Sequence, residues 1–211
     1  MRKSNIISLA IVVASFIVAG YFYPQLPEKV ASHWNAQGNV DGYLPKFWGA
    51  FLMPIISVVM YLLFLIIPAI DPKKQNIEKF RKYFDWFIVL MLLFLFYLYA
   101  LTLAWSLNYR FNLIQLLSPA FALLFYYSGV LINHAEPNWT IGIRTPWTLS
   151  NETVWKKTHI LGGKLFKTTG SISLLGIFWP DYAIGLIIIP SITAALVSII
   201  YSYLKFRKLP R

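Results

Sequence analysis

Six stretches, at 6–23, 48–70, 84–106, 111–132, 159–179 and 182–204, are built almost wholly from apolar and aromatic residues, and each is about 18 to 23 residues long. At a rise of about 1.5 Å per residue, each run is long enough to cross a hydrocarbon core of ~30 Å as a helix. Lipid gives backbone N–H and C=O groups no other partner, so helices are the expected solution. The fold expected is therefore all-α, an integral membrane bundle of six helices. With 58% hydrophobic and 13% charged residues among 211, no stretch is left for a separate soluble module. One polytopic domain, 1–211, is expected. It divides into 1–70 (helices one and two with their loop), 71–133 (helices three and four), 134–158 (a polar loop) and 159–211 (the last two helices and a basic tail).

A formal net charge of +11 would suggest nucleic acid in a soluble protein, but here the positions of the charges matter more than their sum. With the N-terminus inside, only Lys29, Lys46 and Arg110 of the 19 lysines and arginines fall on the outer side. The positive-inside rule then puts both termini in the cytoplasm, the 24–47 loop outside and the 134–158 loop inside. The basic balance thus reads as topology, and no direct contact with nucleic acid is expected. The first run is longer than a signal-peptide core and leads through Pro24 and Pro27 into further spans, so it is expected to be retained. The sequons at Asn138 and Asn151 lie inside and read as chance matches. Pro54, Pro119 and Pro190 recur in helices two, four and six, a weak hint of three related hairpins.

Ionisable residues at mid-membrane depth mark ion and proton pathways. The middles of these runs have none, which speaks against a pump or proton-coupled carrier. HExxH, GxSxG, a phosphate loop and paired carboxylates on one helix face are all missing, so no enzyme is expected. Chemistry is left to two polar stretches. In the outer one, SHWNAQGNVDGYLP, His33 and Asp41 can share a hydrogen bond or a metal, but two ligands fall short of a metal signature. A folded cap is expected there, with no metal or cofactor. The inner stretch, NWTIGIRTPWTLSNETVWKKTHILGGK, starts with Pro137, Gly142 and Pro146 and reads as loop. From an expected N-cap at Ser150 it reads as helix. At about 3.6 residues per turn, Lys156, Lys157, Lys164 and Lys167 share one face, suited to lipid headgroups. Trp155, His159, Gly162, Gly163, Phe166 and Gly170 form another, suited to close helix packing. Arg144, between a glycine and a Thr-Pro turn, can bind a carboxylate or phosphate, stack on Trp147, or pair with Glu136 or Glu152. His159 can sense pH or hold the loop backbone.

The segment GIRTPWTLSNETVWKKTHILGGKLF closely resembles the signature of the SdpI family of membrane proteins. SHWNAQGNVDGYLPK resembles the small N-terminal domain that accompanies it. The resemblance implies an immunity protein against a secreted toxic peptide that damages membranes, with membrane lipids as surroundings. It also implies a possible cytoplasmic partner, a small DNA-binding repressor held at the membrane. Carried over by motif, the inner residues implied are Gly142, Arg144, Thr145, Pro146, Trp147, Trp155, Thr158 and His159, to which helix five adds Gly162 and Lys164. The outer ones are His33, Asn35, Gly38 and Asp41. The alternative is a membrane enzyme or carrier acting on a lipid or small molecule at the cytoplasmic face, with Arg144, His159 and Lys164 around its headgroup.

Overall fold

The computed structural model describes residues 2–35 and 37–209. In chain order the elements are α1 (Lys3–Phe22), β1 (Lys29–Trp34), β2 (Val40–Pro45), α2 (Lys46–Ile70), α3 (Lys74–Lys79), α4 (Arg81–Ser106), α5 (Leu113–His134), α6 (Pro146–Ser150), α7 (Glu152–Leu174) and α8 (Ala183–Arg207). The chain is mostly helical. Five helices, α1, α2, α4, α5 and α8, are long and apolar enough to cross a membrane. The 23-residue α7 is less apolar, and it starts and ends earlier than the expected run at 159–179. It begins at Glu152 because the Asn151 side chain accepts the Val154 amide at 3.0 Å. The N-cap expected at Ser150 thus falls one residue later.

Two further expectations need correction. The 24–47 segment is not only loop, and the fold is not purely α. β1 and β2 pair antiparallel into a hairpin whose register slips around His33. Asn35 shapes its tip: the side-chain oxygen accepts the amides of Gln37 and Asn39 at 3.1 and 2.9 Å. The hairpin folds over the ends of two helices. Val30 and Ala31 are buried, the Ala31 amide donates to Ser106 Oγ at 3.2 Å, and the Trp34 and Trp105 rings meet edge to face. The other correction is α6, a short helix inside the stretch read as loop.

Burial along α1 and α8 is inverted relative to a soluble protein, while α4 buries large apolar residues such as Phe84, Ile88 and Leu92. In α1 the buried residues are Ser4, Ser8, Val12, Ser15 and Ala19, while Ile6, Leu9, Val13 and Ile17 are exposed. α8 repeats the pattern with Ala183, Ala194, Ser198 and Ser202 inside and Ile189, Ile192 and Ile200 outside. Apolar side chains gain nothing by leaving lipid, so small residues take the contacts and let backbones approach. The extreme case is α5 against α7. A Cβ at Gly170 would sit 2.5 Å from the Ala122 carbonyl oxygen and 2.7 Å from the Tyr126 nitrogen.

Two of the prolines inside the helices, Pro54 and Pro190, are served by their neighbours. Proline has no N–H, so the carbonyl four residues earlier loses its donor. For Pro54 that carbonyl is Ala50, and the buried Tyr99 hydroxyl donates to it at 2.8 Å. For Pro190 it is Leu186, which accepts Ser173 Oγ at 3.4 Å, while Thr169 Oγ1 reaches the Pro190 carbonyl at 3.2 Å. These contacts, with Gly162 against Ser198, run α7 antiparallel along α8. Those of Gly170 with Ala122 and of Gly163 with Gly129 and Asn133 run it antiparallel along α5. α7 is thus enclosed on two sides, which is why it can be polar. At the same end of the bundle as α6, Arg2 bridges Glu78 and Asp85 at 3.2 Å each, and Arg81 holds the buried Asp85 at 2.7 Å.

Candidate functional site

The segment from Ala135 to Asn151 is folded by its own side chains. Asn138, 1% exposed, is its hub. Its oxygen accepts the amides of Thr140 and Ile141 at 2.8 and 2.6 Å, and its nitrogen donates to the carbonyls of Glu136 and Ile141 at 2.8 Å each. A second anchor comes from outside the loop. Asp71, the residue after α2, is 3% exposed. Its carboxylate accepts the Trp139 amide at 3.0 Å, Thr140 Oγ1 at 2.7 Å and the Lys73 amide at 2.7 Å. Asn76 of α3 adds a bond to the Pro137 carbonyl at 2.8 Å. Neither Asp71 nor Asn138 was singled out by sequence reasoning. The signal in the sequence is an aspartate directly after an apolar span and an Asn-x-Thr that by itself reads as a chance sequon.

Gly142 follows with φ 118, a conformation that favours glycine, and a Cβ there would sit 2.5 Å from His159 Nε2. The close approach lets the Ile143 amide donate to that nitrogen at 3.1 Å. A backbone amide can only donate, so Nε2 must be unprotonated. The proton then lies on Nδ1, which bonds the Trp155 carbonyl at 2.8 Å. The imidazole stacks on the Trp155 indole at 4.0 Å, and Trp155 Nε1 donates to the Ala135 carbonyl at 2.8 Å. Both side chains are 2% exposed. Together they clasp both ends of the loop to the first turns of α7.

Thr145, Pro146 and Thr148 start α6. Thr145 Oγ1 accepts the Thr148 amide at 3.2 Å and Thr148 Oγ1 accepts the Thr145 amide at 2.8 Å, a reciprocal capping box with proline at the first helical position. Thr145 Oγ1 also meets Ser202 Oγ of α8 at 3.0 Å. Trp147 packs on Tyr203 of α8 at 5.0 Å. Thr158 is fully buried, and its hydroxyl has no partner among the described residues.

Arg144 makes none of the ion pairs expected for it among the described residues. Its guanidinium is exposed and donates to the Trp139 carbonyl at 2.7 Å. The lysine face is also divided. Lys156, Lys157 and Lys164 are exposed, but Lys167 turns toward α5. With its amide oriented to satisfy both neighbours, Asn133 accepts Lys167 Nζ at 3.2 Å and donates to the His159 carbonyl at 3.0 Å. Gly162 abuts Ile143 and Ser198, so it packs the loop onto α8.

At the opposite end, His33 Nδ1 and Asp41 Oδ1 share an exposed hydrogen bond at 2.5 Å across the hairpin. A Cβ at Gly42 would sit 2.8 Å from His33 Cβ, so glycine makes room for the pair. Gly38, φ 80, turns the tip beside Asn112, the cap of α5. Beneath the hairpin lies an apolar cavity of about 380 Å³, lined by Trp34, Trp48, Leu52, Leu117 and Ile187. The sequence-chosen residues therefore form two separate groups, one at each end of the bundle.

Five apolar helices and two polar ends define a multi-pass membrane protein. Residues 134–202 match the model of the SdpI/YfhL protein family, and residues 10–58 match a domain of unknown function (DUF1648). The chain is 31% identical over 209 residues to the protein named Immunity protein SdpI of Bacillus subtilis (strain 168), covering 98% of each. It belongs to the SdpI/YfhL family. No solved structure matches it.

Proposed function

We propose that this protein gives immunity to a secreted toxic peptide that acts on membranes. The observation that carries this reading is the similarity to Immunity protein SdpI over nearly the whole of both chains. The hairpin, with His33, Asn35, Gly38 and Asp41, is the outward element that meets the peptide. The loop and the first turns of α7, with Gly142, Arg144, Thr145, Pro146, Trp147, Trp155, Thr158, His159, Gly162 and Lys164, form the cytoplasmic element that passes on occupancy to a repressor protein. The chain acts as one membrane domain. A single rod joins its two ends: β2 runs without a linker into α2, and the residue capping α2, Asp71, grips the loop. A shift of the hairpin thus has a direct mechanical route to Trp139 and Thr140.

α7 serves as a sixth crossing, with both termini in the cytoplasm. Its antiparallel contacts along α5 and α8 support this, because a helix enclosed by two spanning neighbours need not be apolar. So does the position of the basic residues: apart from Lys29, Lys46 and Arg110 at the hairpin end and Lys164 and Lys167 along α7 itself, the described lysines and arginines lie at the loop end.

Expression in a host sensitive to such a toxic peptide tests the reading. Survival under challenge is expected, and unchanged killing across several such peptides would refute it. Arg144→Ala is expected to insert normally and to weaken the response, since it loses only the bond to the Trp139 carbonyl.

A further inference from the structure

A second cavity, of about 580 Å³, opens at the loop end between α3, α4, α5 and α7. Its floor is aromatic and buried, with Phe80 at 1% and Trp155 at 2% exposure. Around it stand Lys79, Lys156, Glu136 and Glu152, all exposed. The ion pairs among the described residues join Arg2 and Arg81 to Glu78 and Asp85 and Lys46 to Glu28, and neither these nor the His33–Asp41 contact uses these four charges. Glu152 and Lys156 even have the i,i+4 order that favours pairing on a helix, yet they stand more than 4.0 Å apart. Two cations and two anions are therefore free around one bowl. The cavity lies where two apolar helices end, α4 near Tyr83 and α5 at His134, beside the first turns of α7 at Trp155, and for helices that cross a bilayer this is the depth of lipid headgroups. On its rim, Ile160 is 45% exposed and continues the wall as an apolar surface toward the bilayer.

We infer that this bowl binds the headgroup of a zwitterionic phospholipid bearing a primary ammonium. The phosphate lies between the Lys79 and Lys156 amines, the ammonium donates to the Glu136 and Glu152 carboxylates, and the acyl chains leave over Ile160. Charge balance selects this class. A headgroup with only negative charge meets two carboxylates that repel it, and a quaternary ammonium has no N–H to donate to them. The volume lies within the range of small-molecule sites. Because Trp155 forms the floor and also clasps the loop, a bound lipid bears on the same helix start that holds the candidate signalling loop. The inference needs no toxin and stands apart from the immunity reading.

The full chain, reconstituted in nanodiscs of equal phosphatidylethanolamine, phosphatidylcholine and phosphatidylglycerol, is extracted into mild detergent, and its retained lipids are measured by mass spectrometry. Phosphatidylethanolamine is expected to be enriched, and Glu152→Gln or Lys156→Gln to lower that enrichment by roughly two- to fivefold, as expected for losing one exposed charge contact. Circular dichroism confirms that both variants fold, and Arg110→Gln, at the far end, leaves enrichment unchanged. Soluble phosphoethanolamine is expected not to displace the lipid. Lack of enrichment, enrichment that both variants retain, enrichment of phosphatidylglycerol above phosphatidylethanolamine in the unaltered protein, or complete displacement by soluble phosphoethanolamine would each overturn the inference.

Discussion

At the residue scale, the histidine of the loop is held by geometry that fixes its chemistry. His159 Nε2 accepts from Ile143 and Nδ1 donates to Trp155, so both ring nitrogens are committed. Replacing His159 with Phe keeps a ring for the Trp155 stack but leaves the Ile143 amide unpaired. A buried donor without a partner costs about 1–3 kcal/mol, and denaturant unfolding in mixed micelles should show a loss of that size. Asp71→Asn places an amide where three donors converge, and hydrogen bonds to a charged group are worth about 1.5–3 kcal/mol each. Hydrogen exchange should quicken at the Trp139 amide, while amides near the hairpin tip keep their rates. An unchanged Trp139 rate would remove Asp71 as the anchor of the loop. Why sequence reasoning found His159 and passed over Asp71 follows from the same contacts. A histidine near a glycine-rich helix start stands out locally. An aspartate whose partners in the loop lie 68 and 69 residues away in sequence, with only the Lys73 amide close by, has no local pattern that announces this role.

At the element scale, hydropathy located the apolar helices well because lipid demands it of any helix face it touches. The same criterion undershot α7, whose buried face carries Thr158, His159, Thr169 and Ser173 and whose starting turn is polar. It also missed the hairpin, whose strands are short and whose folding depends on the Asn35 tip and on Ser106 from α4. The Thr-Pro-Trp-Thr helix start was legible in principle, since a threonine three residues before another can close a capping box, but the prolines and glycine around it read as loop. Packing at the glycines gives a paired test. Gly170→Ala pushes a methyl against the backbone of α5 and is expected to cost about 1–3 kcal/mol through overpacking. Gly20 has nothing within 4 Å of an added Cβ and lies in α1, so Gly20→Ala is expected to stabilise by up to about 1 kcal/mol. Thermal unfolding in one detergent compares the two directly, and equal effects would mean that α5 and α7 are not in backbone contact.

At the scale of the whole molecule, function depends on which side of the membrane each polar end faces and on whether α7 crosses. The chain has no cysteine, so single introduced cysteines report cleanly on both questions. Gln37 at the hairpin tip, Ser150 at the end of α6 and Asp181 in the turn before α8 are suitable positions, set at the two ends of the bundle. In intact cells a membrane-impermeant maleimide should label Gln37→Cys and Asp181→Cys, and should reach Ser150→Cys only after permeabilisation. The Asp181 position is the decisive one. If α7 crosses between its neighbours, Ser150 and Asp181 lie on opposite sides. If α7 lay along the surface, both would be labelled from the same side, and α8 would then have to leave α7 at its first turn. That arrangement would break the contacts of Thr169 with Pro190 and of Ser173 with Leu186, which serve the backbone around the proline of α8. Labelling of Asp181→Cys from outside would therefore establish the sixth crossing. It would also put the α2 rod between an outward hairpin and an inward loop, the arrangement that a protein relaying an external peptide to a cytoplasmic partner requires.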